Sequence, residues 1–187
     1  IDEAINNQDT TKIKEIEKEV ESIKRHFNSL EFEVELKKLF DTTSDTILIQ
    51  SPWVRDFAFK NRVPFIKDYL RKGGRVYIAY SENESFGGED MVQEESKKLL
   101  AELDKNLNFY CCELPAFHYK NVWLIRKDKE NSYYSGSYNI LSFFVHQNMK
   151  NVRQEKMTRM DWDSELEEQY LEVFKKFGLK YIHTAIE

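Results

Sequence analysis

His118 and Lys120 stand two residues apart in Phe117-His118-Tyr119-Lys120-Asn121. On an extended chain, residues i and i+2 share a face. An imidazole and an ammonium group therefore project side by side, while Tyr119 points the other way. Sixteen residues after Lys120 the chain reads Gly136-Ser137-Tyr138-Asn139. Ser137 and Asn139 share a face by the same rule. If the two stretches pair as a hairpin through Lys127–Asn131, all four side chains converge. Arg153-Gln154-Glu155 then brings a carboxylate onto the next strand. This set suits displacement at a phosphodiester. Histidine serves near neutral pH as nucleophile or general acid. A lysine ammonium and an asparagine amide can hold the non-bridging oxygens and offset charge in the transition state. A carboxylate bonded to the imidazole fixes its tautomer. No metal and no cofactor is called for.

Other assignments compete at some positions. Glu113, Glu130 and Glu165 are alternatives to Glu155, and Ser137 either supports the phosphate or only orients the backbone. His26, His146 and His183 have no such company and read as surface residues. Tyr133, Tyr134, Tyr138, Phe143 and Phe144 read as core or rim. Arg55, Lys60, Arg62, Arg71, Lys72 and Arg75 are either a phosphate-tracking surface or a solvated helix face, and the second reading is favoured.

The elements that must position these groups follow from periodicity and punctuation. Ile13, Ile16, Val20, Ile23, Phe27, Leu30 and Val34 recur in steps of three and four. That seam predicts one amphipathic helix over 9–40, or a coiled-coil arm, capped by Asp9, Thr10 or Thr11. From Leu30 the pattern alternates. Thr46–Gln50 and Arg75–Tyr80 read as buried strands. Pro64–Lys72 reads as a helix stopped by Gly73-Gly74. Asp90–Asn106 reads as a helix and Asn108–Cys112 as a strand. Strands follow at His118–Arg126, Ser132–Ser137 and Arg153–Met160. Ser164–Phe177 closes as a helix, with Ser164 as cap and Gly178 beyond its end. The whole predicts an α/β fold with a mixed sheet flanked by helices. The division is an N-terminal helix or linker over 1–29 and a phosphodiesterase domain over 30–187. No internal repeat is visible.

Composition sets the outer limits. The chain has 187 residues, 41% hydrophobic and 33% charged, which is enough apolar matter for a packed core. No run approaches the ~18 apolar residues that span a bilayer, so no membrane partner is expected. The first residues lack the pattern of a signal peptide. The start at Ile1 reads as a fragment or a processed product, with other domains in a longer parent chain. Cys111 and Cys112 are adjacent, point to opposite faces of a strand, and read as reduced thiols of a cytoplasmic protein. A net charge of −5 leaves room for a local basic patch, hence for a polyanion.

His118, Lys120, Gly136, Ser137 and Asn139, with Glu155 downstream, resemble the H-x-K…G-S-x-N signature of the phospholipase D superfamily. Thr46–Trp53 resembles the first strand of that family, Gly73–Tyr80 its helix-to-strand step and Asn151–Phe177 its ending. The likeness covers about residues 30 to 180. One position departs: the family commonly has an aspartate five residues after the lysine, where this chain has Ile125. Some DNA-acting branches of the superfamily also lack it. The resemblance implies a metal-independent phosphodiesterase, in which His118 of one subunit forms a phosphohistidine and His118 of the other is the acid and base. Lys120 and Asn139 hold phosphoryl oxygens, Ser137 supports the phosphate or the imidazole, and Glu155 orients the imidazole. One motif set per chain implies a homodimeric nuclease, with DNA as the favoured partner, and a possible effector domain of a restriction or defence protein. A lipid phosphodiesterase and a non-catalytic dimerisation or nucleic-acid-binding module are the alternatives.

Overall fold

A computed structural model describes residues 25–41, 45–81, 91–115, 117–127, 130–146, 148–149 and 154–178. The heptad positions before Arg25, together with His183 and Arg153, lie outside them. Eleven elements follow in order: β1 (His26–Asn28), α1 (Ser29–Asp41), β2 (Thr46–Gln50), α2 (Asp56–Arg71), β3 (Arg75–Ser81), α3 (Glu94–Leu103), β4 (Phe109–Leu114), β5 (Asn121–Ile125), β6 (Ser132–Gly136), β7 (Lys156–Met160) and α4 (Ser164–Lys175). The strands form one sheet in the order β1-β7-β6-β5-β2-β3-β4. Its β2, β3 and β4 are parallel, joined by the α2 and α3 crossovers, and the other pairings are antiparallel. The expected mixed α/β sheet is what the chain forms.

Alternation along the strands divides the core. Ile47, Ile49, Val76, Ile78, Val122, Leu124 and Tyr134 pack with the buried faces of α1, α2 and α3. Leu48, Tyr77, Trp123 and Tyr133 point the other way and pack on Leu166, Tyr170 and Phe174 of α4. Strands β2, β3 and β5 are thus apolar on both faces, which is why their sequences read as continuous hydrophobic runs. Tyr133, Tyr134 and Tyr138 are buried as expected.

The elements differ from the sequence reading at their ends, for local reasons. The seam over 9–40 does not continue as one helix. Phe27 lies in β1, and α1 starts at Ser29. The Asn28 side chain accepts from the Leu30 and Glu31 amides, while the Asn28 amide donates to Glu31. This capping exchange interrupts the seam. The helix then buries Phe32, Leu36, Leu39 and Phe40, leaving the seam residues Leu30 and Val34 exposed. Helix α2 begins at Asp56 rather than Pro64, and carries Pro64 in its interior. Helix α3 covers only Glu94–Leu103. Its start faces that of α2: Asp56 accepts from the Ser96 amide and hydroxyl at 2.8 Å, and Gln93 accepts from the Asp56 amide at 2.7 Å. The cap of α4 is Asp163, which accepts from the Leu166 amide at 2.8 Å, rather than Ser164.

Candidate active site

The register places the predicted groups at one end of the sheet. Gln50, at the end of β2, pairs with Asn121, at the start of β5. Asn121 pairs with Ser135 near the end of β6, and Gly136 pairs with Met157 at the start of β7. His118 and Lys120 lie just before β5, Ser137 and Asn139 just after β6, and Glu155 just before β7. The H-x-K stretch is therefore the approach to a strand rather than part of one. The carboxyl ends of β2 and β3 meet the same edge, which is where open α/β sheets hold ligands.

The histidine and lysine touch. Lys120 Nζ lies 3.0 Å from His118 Nδ1 and donates to the His118 carbonyl at 2.7 Å. Lys120 is buried and His118 exposed. The Phe117 amide donates to Ser81 Oγ at 3.3 Å, which ties this approach segment to the end of β3. Below it, Asn121 Nδ2 donates to Gln50 Oε1 at 3.0 Å. Partial desolvation lowers the pKa of His118, and the Lys120 charge lowers it further. Burial also lowers the pKa of Lys120, against which the Glu155 carboxylate acts to raise it. Glu155 thus supplies negative charge to this cluster from a buried position.

A third side chain completes the wall. Trp53, just past β2, meets His118 edge to face, with ring centroids 5.4 Å apart at 88°. Lys120 Nζ lies over the same indole, 5.7 Å from its centroid. The sequence reading took Trp53 only as the end of a strand-like run. Its place beyond the carboxyl end of a parallel strand gains meaning only once the sheet order is known.

Gly136 and Ser137 do backbone work. A Cβ on Gly136 would stand 2.1 Å from the Lys156 carbonyl oxygen, so only glycine lets β6 run this close to β7. The Ser137 amide donates to the Lys156 carbonyl at 2.9 Å, and Ser137 Oγ accepts from the Lys156 amide at 3.0 Å. Of the two roles weighed for Ser137, these bonds serve the backbone one. Glu155 is clipped through its own backbone, whose amide donates to Ser29 Oγ at 2.8 Å.

Topology separates Glu155 from its competitors. Glu130 lies between β5 and β6 at the opposite end of the sheet, as does Glu165 in the first turn of α4. Glu113 is on β4, three strand spacings from β5, or about 14 Å. Ile125 is five residues beyond Lys120 at the far end of β5, about 16 Å along the strand. The departure from the motif there removes nothing from the His118 end. Arg71 and Lys72 pair with Asp68 at the opposite end of α2. Arg62 is buried on Glu33, so it belongs neither to a phosphate-tracking surface nor to a solvated face. His26 and His146 are exposed. Burial pushes the Cys111 thiol up to about 11 and the Cys112 thiol up to about 12. Among the described residues no group of three or more His, Cys, Asp or Glu could hold a metal ion, and no helix is long and apolar enough to cross a membrane.

No protein-family model and no curated protein sequence matches the chain. Solved structures do. Polyphosphate kinase from Porphyromonas gingivalis is similar with a TM-score of 0.57 at 11% identity, over 88% of this chain and 26% of that one. Phosphatidylserine synthase from Haemophilus influenzae Rd KW20 is similar with a TM-score of 0.52 at 15% identity, over 81% of this chain and 37% of that one. Yeast tyrosyl-DNA phosphodiesterase gives a TM-score of 0.43 at 12% identity, over 81% of this chain and 36% of that one. The chain thus spans about a quarter to a third of the length of these proteins. Likeness to the kinase and the synthase shows the fold, a mixed α/β sheet that this chain shares with part of each.

Proposed function

We propose that this chain is a metal-independent phosphodiesterase, and specifically a nuclease acting on DNA at a homodimeric site. The observation that carries the reading is the 3.0 Å approach of Lys120 Nζ to His118 Nδ1, on the sheet end that also holds Asn139 and Glu155. The phospholipase D-like fold supports it. DNA is favoured over lipid because the motif departs at Ile125, as it does in some DNA-acting branches of the superfamily it resembles.

In the proposed reaction a ring nitrogen of His118 attacks phosphorus. The P–O bond to the leaving group breaks as the N–P bond forms. The partner subunit's His118 gives its proton to the departing oxygen. It then takes a proton from water, whose oxygen attacks phosphorus while the N–P bond breaks and its electron pair returns to the imidazole. Lys120 and Asn139 offset the growing charge on the non-bridging oxygens. Glu155 keeps Lys120 charged against its burial.

The test uses the full chain with labelled DNA, RNA and phosphatidylcholine in excess EDTA. Cleavage of DNA is expected, and His118→Ala should lose at least ~10³-fold in rate. Lipid cleavage alone would move the chain to the lipid reading. Wild-type rates in the His118→Ala protein would leave a binding module as the better account.

A further inference from the structure

Arg62 is 2% exposed, near the middle of α2. Its Nη1 and Nη2 donate to the two carboxylate oxygens of Glu33 on α1, at 2.5 and 2.6 Å. Burial works against the guanidinium charge, but the hydrogen bonds and charge of Glu33 outweigh it and hold the pKa above its ordinary value. Such a pair is a poor source of net stability, because apolar residues of similar volume often do as well in its place. What it supplies here is direction.

Its remaining hydrogen bonds converge on one stretch of chain. Arg62 Nε donates to the Ile140 carbonyl at 3.1 Å, and Nη2 donates to the Phe143 carbonyl at 3.1 Å. Glu33 Oε1 accepts from the Tyr138 hydroxyl and from the Val145 amide. Asn139 stands between Tyr138 and Ile140, so both of its neighbours are tied to one buried ion pair. From the β2 side, the Leu141 amide donates to Ser51 Oγ at 3.2 Å and the Leu141 carbonyl accepts from the Arg55 amide at 3.0 Å. Asn139 itself carries a buried Oδ1 with no hydrogen-bond partner. A half-turn of the carboxamide exchanges this oxygen with Nδ2, so the held group can also offer a donor.

We infer that Glu33, Arg62 and Tyr138 are a positioning network for Asn139, linking α1 and α2 to the phosphate-holding amide. The inference rests on the reading of His118, Lys120 and Asn139 as a phosphodiester site. It explains why two charges are buried in a helix–helix contact that apolar residues could fill. None of the three touches substrate; they act through the backbone on either side of Asn139.

A double-mutant cycle tests it on the full chain. The Glu33→Leu, Arg62→Met variant removes both charges together, avoiding a lone buried ion. It should lower kcat about tenfold to a hundredfold, the scale of a small misplacement of a positioned group. In an Asn139→Ala background the same pair should change kcat by no more than about twofold, because the group it positions is gone. Equal losses in both backgrounds would overturn the network and leave the phosphodiesterase reading standing. Should the double variant fail to fold, Tyr138→Phe takes its place in the same cycle with the same criterion. The cycle is also read as affinity for inorganic phosphate by calorimetry, so it decides the inference if the wild type binds phosphate without cleaving DNA. A wild-type chain that neither cleaves DNA nor binds phosphate overturns both.

Discussion

A histidine beside a lysine is a poor place to keep a proton. Partial desolvation and the Lys120 charge both hold the His118 pKa below its ordinary value of 6.5. The sign follows directly: as pH falls below 6.5, an unfolded chain takes up this proton before the folded one, so this group makes folding less favourable toward acid. In catalysis the same shift keeps the imidazole neutral, and able to attack, at lower pH. The acid limb of kcat/KM should therefore have its midpoint below 6.5, and Lys120→Met should move that midpoint upward; a pH–rate profile of both proteins checks it. Trp53→Ala removes the ring packed on both groups, so kcat should fall about tenfold or more in single-turnover measurements. The contact of His118 with Lys120 was legible because residue type and i, i+2 spacing carry it, and the place of Glu155 at the same sheet end followed from its position before the next strand. Trp53 was not, because its contacts depend on the end of β2 meeting the approach to β5, a juxtaposition no local pattern encodes.

At the scale of elements, the site depends on how closely β6 and β7 run. Gly136→Ala would place a Cβ against the backbone carbonyl of Lys156, which cannot swing away as a side chain tip would. The expected loss is about 1–3 kcal/mol in denaturant unfolding, with activity falling because Ser137 and Asn139 follow directly. Asp163→Ala, at the far end of the sheet, should cost about 1 kcal/mol of stability and leave the kinetics alone. The strands β2 and β3 could be read from sequence, since a buried run of β-branched and aromatic residues has few other uses. Helix α1 could not. Phe27, Leu30 and Val34 keep the spacing of a seam, yet the buried face is Phe32, Leu36, Leu39 and Phe40, and a capping asparagine lies between Phe27 and Leu30. Spacing alone does not say which of two apolar stripes meets the sheet. The sequence reading starts this helix at Pro64, but the buried Ala58, Phe59, Val63 and Ile66 hold α2 together on both sides of the proline.

At the scale of the whole molecule, the proposed reaction uses two histidines and each chain supplies one His118. Light scattering should therefore give twice the chain mass, and a monomer with full activity would contradict the shared site. Cleavage should continue in excess EDTA, since no step of the proposed reaction passes through a metal ion. The proposed reaction turns on a covalent bond between His118 and phosphorus. Rapid acid-free quenching of the full chain with a DNA oligonucleotide, followed by mass spectrometry of the peptide containing Phe117–Arg126, looks for that bond. A phosphoryl–DNA adduct on His118, absent from His118→Ala, is the predicted result; DNA cleavage at full rate with no adduct on this histidine, by a protein that requires a divalent cation, would contradict the account.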